Sequence, residues 1–185
     1  MRYALLGLWF FSAPLAAGSV AHVEVEHRAD GRYAVRLNVG IAAPAARVRA
    51  LLTDYAHLSR INPAVKKSEI LARLGPDAYR VRTVIKACVW FFCVTLLQVQ
   101  DVTQRPDGDI VAVTLPAQSN FSYGRARWRV QDEHGGTRVS FDAQLKPSFW
   151  VPPLIGPWII ERKLRAEALE TAARLEKLAV SHPPS

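Results

Sequence analysis

The chain has 185 residues, half of them hydrophobic and 22% charged. That is an ordinary globular balance, which sets aside disordered and fibrous classes and suits one domain with a sizeable core. Twenty-four Lys and Arg outnumber 16 Asp and Glu, a surplus that favours anionic partners, phospholipid or nucleic acid, or simply serves solvation.

In chain order, Arg2 is followed by an uncharged run to Ala21 that carries Leu5, Leu6, Leu8, Trp9, Phe10, Phe11 and Leu15. Pro14 and Gly18 interrupt its second half, and Ser19-Val20-Ala21 places small residues at the −3 and −1 positions of a cleavage site. Residues 1–21 therefore read as a secretory signal peptide. An uncleaved anchor is the alternative, although the densely apolar part is short for a membrane span. The expected location is outside the cytoplasm, in the periplasm.

His22 to His27 alternates, Asp30-Gly31 is a hairpin turn, and Arg32 to Ile41 puts Tyr33, Val35, Leu37, Val39 and Ile41 on one face. Pro44 opens a helix with Val48, Leu51 and Leu52 on its apolar side. Asp54 is placed to cap a second short helix, Tyr55 to Arg60, which Asn62-Pro63 ends. Six further strands are expected: Lys67 to Arg73, Tyr79 to Cys88, Cys93 to Thr103, Asp109 to Leu115, Ser122 to Asp132 and Thr137 to Lys146. The turns between them are short, so the sheet is mostly antiparallel, with one face covered and one wet.

Gly156 to Val180 is the longest helix. Pro157 suits its first turn. Ile160, Leu164, Ala168, Ala172, Leu175 and Ala179 form one apolar stripe, and Glu161–Arg165 and Glu170–Arg174 are spaced for ion pairs. Residues 22–180 thus form one α+β domain, and residues 181–185 a disordered tail.

This element order resembles the helix-grip fold of the START-like superfamily (Bet v 1-like), in particular its polyketide cyclase/dehydrase and coenzyme Q-binding branch. The resemblance is carried by L-L-T-D-Y-A-H-L-S-R-I-N-P-A-V-K-K-S at 51–68, G-R-A-R-W-R-V at 124–130 and G-G-T-R-V-S-F at 135–141. Two features depart from the usual layout: the extra N-terminal strand and the Cys-flanked aromatic segment 88–93. The resemblance implies a curved antiparallel sheet wrapped around the C-terminal helix, with an apolar cavity between them. Mapped onto this chain, Val81, Trp128, Phe141, Leu164 and Ala168 would be wall residues, with plain core packing as the other account of each.

Cys88 and Cys93 bracket Val89-Trp90-Phe91-Phe92. If residues 89–92 form a four-residue hairpin loop, the two cysteines oppose each other within disulfide range. Otherwise they are free thiols on one long strand. The hairpin would carry Trp90, Phe91 and Phe92 at its tip. A second apolar loop, Phe149 to Gly156, includes Trp150, Leu154 and Ile155. Loops are usually polar, so the two loops read either as a cap on the core or as a lip around a cavity mouth that meets a lipid or a bilayer.

Little points to catalysis. The five histidines lack ligand spacing on one element. His22 and His27 with Glu24 and Glu26 read as an exposed strand before they read as a metal site. No G-x-S-x-G, phosphate loop or H-E-x-x-H occurs. No cofactor or metal is expected. The reading is a carrier of a hydrophobic small molecule or lipid with peripheral contact to an anionic membrane. The first rival is a cyclase/dehydrase-type enzyme using Thr83, Tyr123 or Asp101. The second is a nucleic-acid or ribosome binder, suggested by Arg125, Arg127 and Arg129, which alternation places on a wet sheet face.

Overall fold

The structure, a computed structural model, describes residues 21–89, 92–151 and 156–181. Residues 1–20 of the expected signal peptide, Trp90, Phe91, Leu154 and the last four residues lie outside them.

One eight-stranded antiparallel sheet holds the molecule together, in the order β1-β2-β8-β7-β6-β5-β4-β3. The strands are β1 His22–His27, β2 Tyr33–Ile41, β3 Val65–Gly75, β4 Ala78–Val89, β5 Phe92–Gln104, β6 Ile110–Thr114, β7 Phe121–Glu133 and β8 Gly136–Pro147. Helix α1 is Ala45–Leu52 and helix α2 is Gly156–Val180. This is the helix-grip arrangement, with the long last helix laid on the sheet.

The alternation read from β2 and β8 is used as expected. Leu37 pairs with Phe141, Val39 with Val139 and Ile41 with Thr137, so one continuous inner face results. Gly31 sits at φ 79° in the β1–β2 turn, where a side chain would be strained, and the Asp30 carboxylate accepts the Arg32 N–H at 3.0 Å. Val48, Leu52, Val139, Leu175 and Ala179 are fully buried together and close one end of the sheet, termed the lower end. Arg47 donates to the Leu178 carbonyl at 3.3 Å, which ties α1 to the last turn of α2. The opposite, upper end carries the β4–β5 turn, the end of β8 and the first turns of α2, whose Glu161 lies close enough to Tyr33 to help burial raise that phenol.

Three local expectations are corrected. The β4–β5 ladder continues to Val89↔Phe92, so only residues 90–91 join the strands and not four. Val89 and Phe92 are good strand formers and extend the pairing. The second helix shrinks to a 3₁₀ turn, Leu58–Arg60, with His57 at its N-cap. Asp54 caps nothing there. Its carboxylate instead meets His57 Nδ1 at 2.8 Å and Arg60 at 3.5 Å. On α2, Glu170–Arg174 pairs at 3.0 Å as expected, and Lys163 pairs with Glu167 at 2.6 Å. Arg165, however, leaves Glu161 and donates to the Val23 carbonyl on the edge strand β1.

Cys88 and Cys93 are directly opposed and disulfide-bonded, with Cα atoms 4.0 Å apart. A loop this short contributes about 2 kcal/mol on the chain-entropy account. Alkylation of unreduced protein is expected to label neither cysteine, and labelling after reduction to reach both. Labelling of both without reduction would contradict the bond.

Candidate functional site

Helix α2 covers β1 and β2, with α1 packed against it and against β7 and β8, while the 3₁₀ turn covers β3. Between these two covers the inner face of the sheet is not filled. A cavity of about 290 Å³ remains there, at the small end for ligand sites. The core cluster closes its lower end.

The five mapped wall residues meet around this space. Val81 is buried on β4. Trp128 on β7 stacks on Phe141 of β8 with ring centroids 4.0 Å apart, and Leu164 and Ala168 face them from α2. The lip residues are placed differently. Phe149, Trp150 and Trp158 are exposed at 40%, 78% and 61% and do not line the cavity. Arg162 lies over the Trp158 ring at 5.6 Å. Trp90, Phe91 and Leu154 are outside the described residues. For Phe92 the backbone pairing with Val89 is described, which puts it at the upper end.

The polar groups named for the enzyme reading separate in space. Thr83 is buried and lines the cavity. Asp101 is on the outer face, where Arg80 grips it with two hydrogen bonds of 2.7 and 2.9 Å. Tyr123 is also on the outer face, under Arg32 at 4.3 Å. The arginine run does alternate outward as expected. Arg127 and Arg129 converge on Asp109, a carboxylate only 4% exposed, which the sequence reading did not single out. Among the described residues no group of three or more His, Cys, Asp or Glu is arranged to hold a metal ion.

Sequence reasoning missed a polar row inside the cavity. Gln98 and Gln100 on β5 line it, and both side-chain amides donate to Thr114 Oγ1 on β6, at 3.1 and 3.4 Å. Thr83 Oγ1 donates to the Gln98 carbonyl at 3.4 Å. The signal was present, because Gln98 and Gln100 fall in phase with Leu96 and Val102 on the covered side. Tyr55 also lines the cavity. Burial pushes its phenol up to about 12, and Gln104 opposes the shift without reaching hydrogen-bond geometry with Oη. That phenol is neutral at any physiological pH.

The family model described as polyketide cyclase/dehydrase and lipid transport matches residues 21–179. None of the curated proteins matches the chain. Solved structures with the same fold include a protein of Thermus thermophilus, 20% identical with a TM-score of 0.66 over 80% of this chain and 97% of that one. The Zhui aromatase/cyclase from a Streptomyces species is 17% identical, with a TM-score of 0.60 over 80% of this chain and 91% of that one. A STAR-related lipid transfer protein from Xanthomonas axonopodis is 15% identical, with a TM-score of 0.62 over 84% of this chain and 97% of that one.

Proposed function

The chain belongs to the polyketide cyclase/dehydrase and lipid transport family, and on that premise we propose that it is an exported protein that carries a hydrophobic small molecule, lipid or isoprenoid-like, in the cavity under α2 without transforming it. The observation that carries this reading is the unfilled, mostly apolar space walled by Val81, Trp128, Phe141, Leu164 and Ala168. An empty apolar space forfeits packing energy unless something occupies it. The names of two similar structures, a lipid transfer protein and an aromatase/cyclase, fit an apolar ligand in such a space.

Three further observations support the rest of the reading. The Cys88–Cys93 bond suits an oxidising compartment, as the leader-like residues 1–21 require. Exposed Phe149, Trp150 and Trp158 stand where β8 ends and α2 begins, at the upper end of the sheet, where a bilayer can meet them. Of the arginine run that suggested nucleic acid, Arg127 and Arg129 are engaged by Asp109, and elsewhere on the sheet Arg80 is held by Asp101 and Arg82 by Glu69.

The test is extraction of envelope-purified protein with organic solvent, followed by mass spectrometry. One apolar compound in near-stoichiometric amount is expected, and its return unchanged after incubation with the protein. Conversion of the compound would move the chain to the enzymes. Ligand-free protein that also refuses added lipid would end the carrier reading.

A further inference from the structure

Around the cavity the inner face of the sheet is apolar except along one line. Strand register sets that line. Thr83 pairs with Gln98 across β4–β5, Gln100 pairs with Thr114 across β5–β6, and Gly124 of β7 lies against Thr114. A methyl group added at Gly124 would fall inside the Thr114 side chain, so glycine is what leaves room for that hydroxyl to project inward. Thr114 is 4% exposed and Thr83 6%, so the row is well inside the molecule.

The hydrogen bonding of this row is incomplete in a definite way. The two glutamine amides fill both acceptor positions of the Thr114 hydroxyl. No described residue donates to the amide oxygen of either glutamine. The buried side-chain polar atoms that lack any partner lie elsewhere, on Arg47, Tyr55 and Glu167, so these two oxygens are open to the cavity. Each glutamine also keeps a second amide proton. The row therefore presents both acceptors and donors to whatever enters. It contains no charged side chain; the charged residues at the cavity wall are Glu167 of α2, which is paired with Lys163, and Arg125 of β7.

From this we infer that the cavity selects an uncharged ligand that is apolar over most of its surface and bears a hydroxyl group, which the Gln98–Gln100–Thr114 row receives. A hydroxyl both donates and accepts, which matches open amide oxygens beside amide protons. A plain hydrocarbon leaves those polar groups buried and unpaired, which costs more than a hydrogen bond gains. A carboxylate or phosphate is disfavoured, because it cannot donate to the amide oxygens and would lose its hydration in a largely apolar space. The inference rests on the carrier reading and narrows it to long-chain, isoprenoid or polycyclic alcohols.

The experiment uses three fluorescent probes with one body, a pyrene on a decyl chain that ends in a methyl, a hydroxyl or a carboxylate. Affinities are measured for the mature protein, for Gln98→Leu with Gln100→Leu, and for Thr114→Val. The alcohol is expected to bind the wild type roughly 10-fold tighter than the hydrocarbon and tighter than the acid. In the glutamine double variant that preference is expected to shrink to within about twofold, with the hydrocarbon bound at least as well as before. The single Thr114→Val change, nearly equal in volume, is expected to weaken the preference in the same direction. Equal binding of alcohol and hydrocarbon by the wild type overturns the inference while leaving the carrier reading intact. So does an alcohol preference that survives in both folded variants. Failure of all three probes to bind the wild type removes the carrier reading, and this inference with it.

Discussion

Replacing Ala168 by tryptophan is expected to abolish uptake of apolar ligands while the protein stays folded. Ala168 lies one turn beyond Leu164 on the face of α2 that looks into the cavity, opposite the stacked Trp128 and Phe141 rings. In a filled core a gain of that size would force side chains off their rotamers at about 1–3 kcal/mol or more. Here the indole has some 290 Å³ of unfilled space to enter. It supplies from within the contacts a ligand would make. Binding of a fluorescent hydrocarbon should fall at least about 100-fold, or roughly 2.7 kcal/mol, while the unfolding midpoint is unchanged or raised. Leu164→Ala, which enlarges the same space, is the companion variant and should keep binding. Unchanged affinity in folded Ala168→Trp protein would mean that the ligand sits elsewhere.

The same residues show why the fold is legible in the sequence and the site only partly so. Alternation in Tyr33–Ile41 and Gly136–Pro147 and the stripe along Gly156–Val180 are local signals, and the ladders and the helix follow them closely. The misses arise where a distant partner overrides a local one. The spacing of Arg165 promises a pair with Glu161, but the Val23 carbonyl on the neighbouring strand offers an acceptor that only the docked helix reaches. Asp101 reads as free to turn inward, and the opposing Arg80 holds it outside.

The cavity itself has no local signature. Val81, Phe141 and Leu164 read as core residues whether the space between them is filled or open, because packing depends on sheet curvature and not on residue type. Gln98 and Gln100 are visible as polar residues in an inward phase. Their meaning appears only when register puts Thr114 beside them and Gly124 behind it.

Loss of membrane attachment is expected when Trp150 and Trp158 are both changed to serine. They are exposed at 78% and 61%, with Phe149 at 40% alongside, although large aromatic side chains are normally covered in a monomer. They stand where β8 ends and α2 begins, the upper end of the sheet, which the β4–β5 turn also reaches. Tryptophan favours the bilayer interface because its ring leaves water while its N–H stays wet. Burial of a large apolar side chain is worth about 1.5–3 kcal/mol, so removal of two should lower partitioning to liposomes by roughly 100-fold or more. Arg162, over the Trp158 ring at 5.6 Å, belongs to the same surface. Basic residues near anionic lipid add about 1 kcal/mol each, so salt should weaken binding to anionic vesicles and leave the aromatic part in place. Trp90→Ser, at the β4–β5 turn, is expected to add to the loss. The control is Ile70→Ser on the edge strand β3, an exposed apolar residue at 46% in another part of the sheet, which should leave co-sedimentation unchanged. If the double tryptophan variant co-sediments as well as the wild type, with folding intact, the aromatic lip has no part in membrane contact. If Ile70→Ser is equally damaging, attachment follows total exposed apolar area and not this end of the molecule.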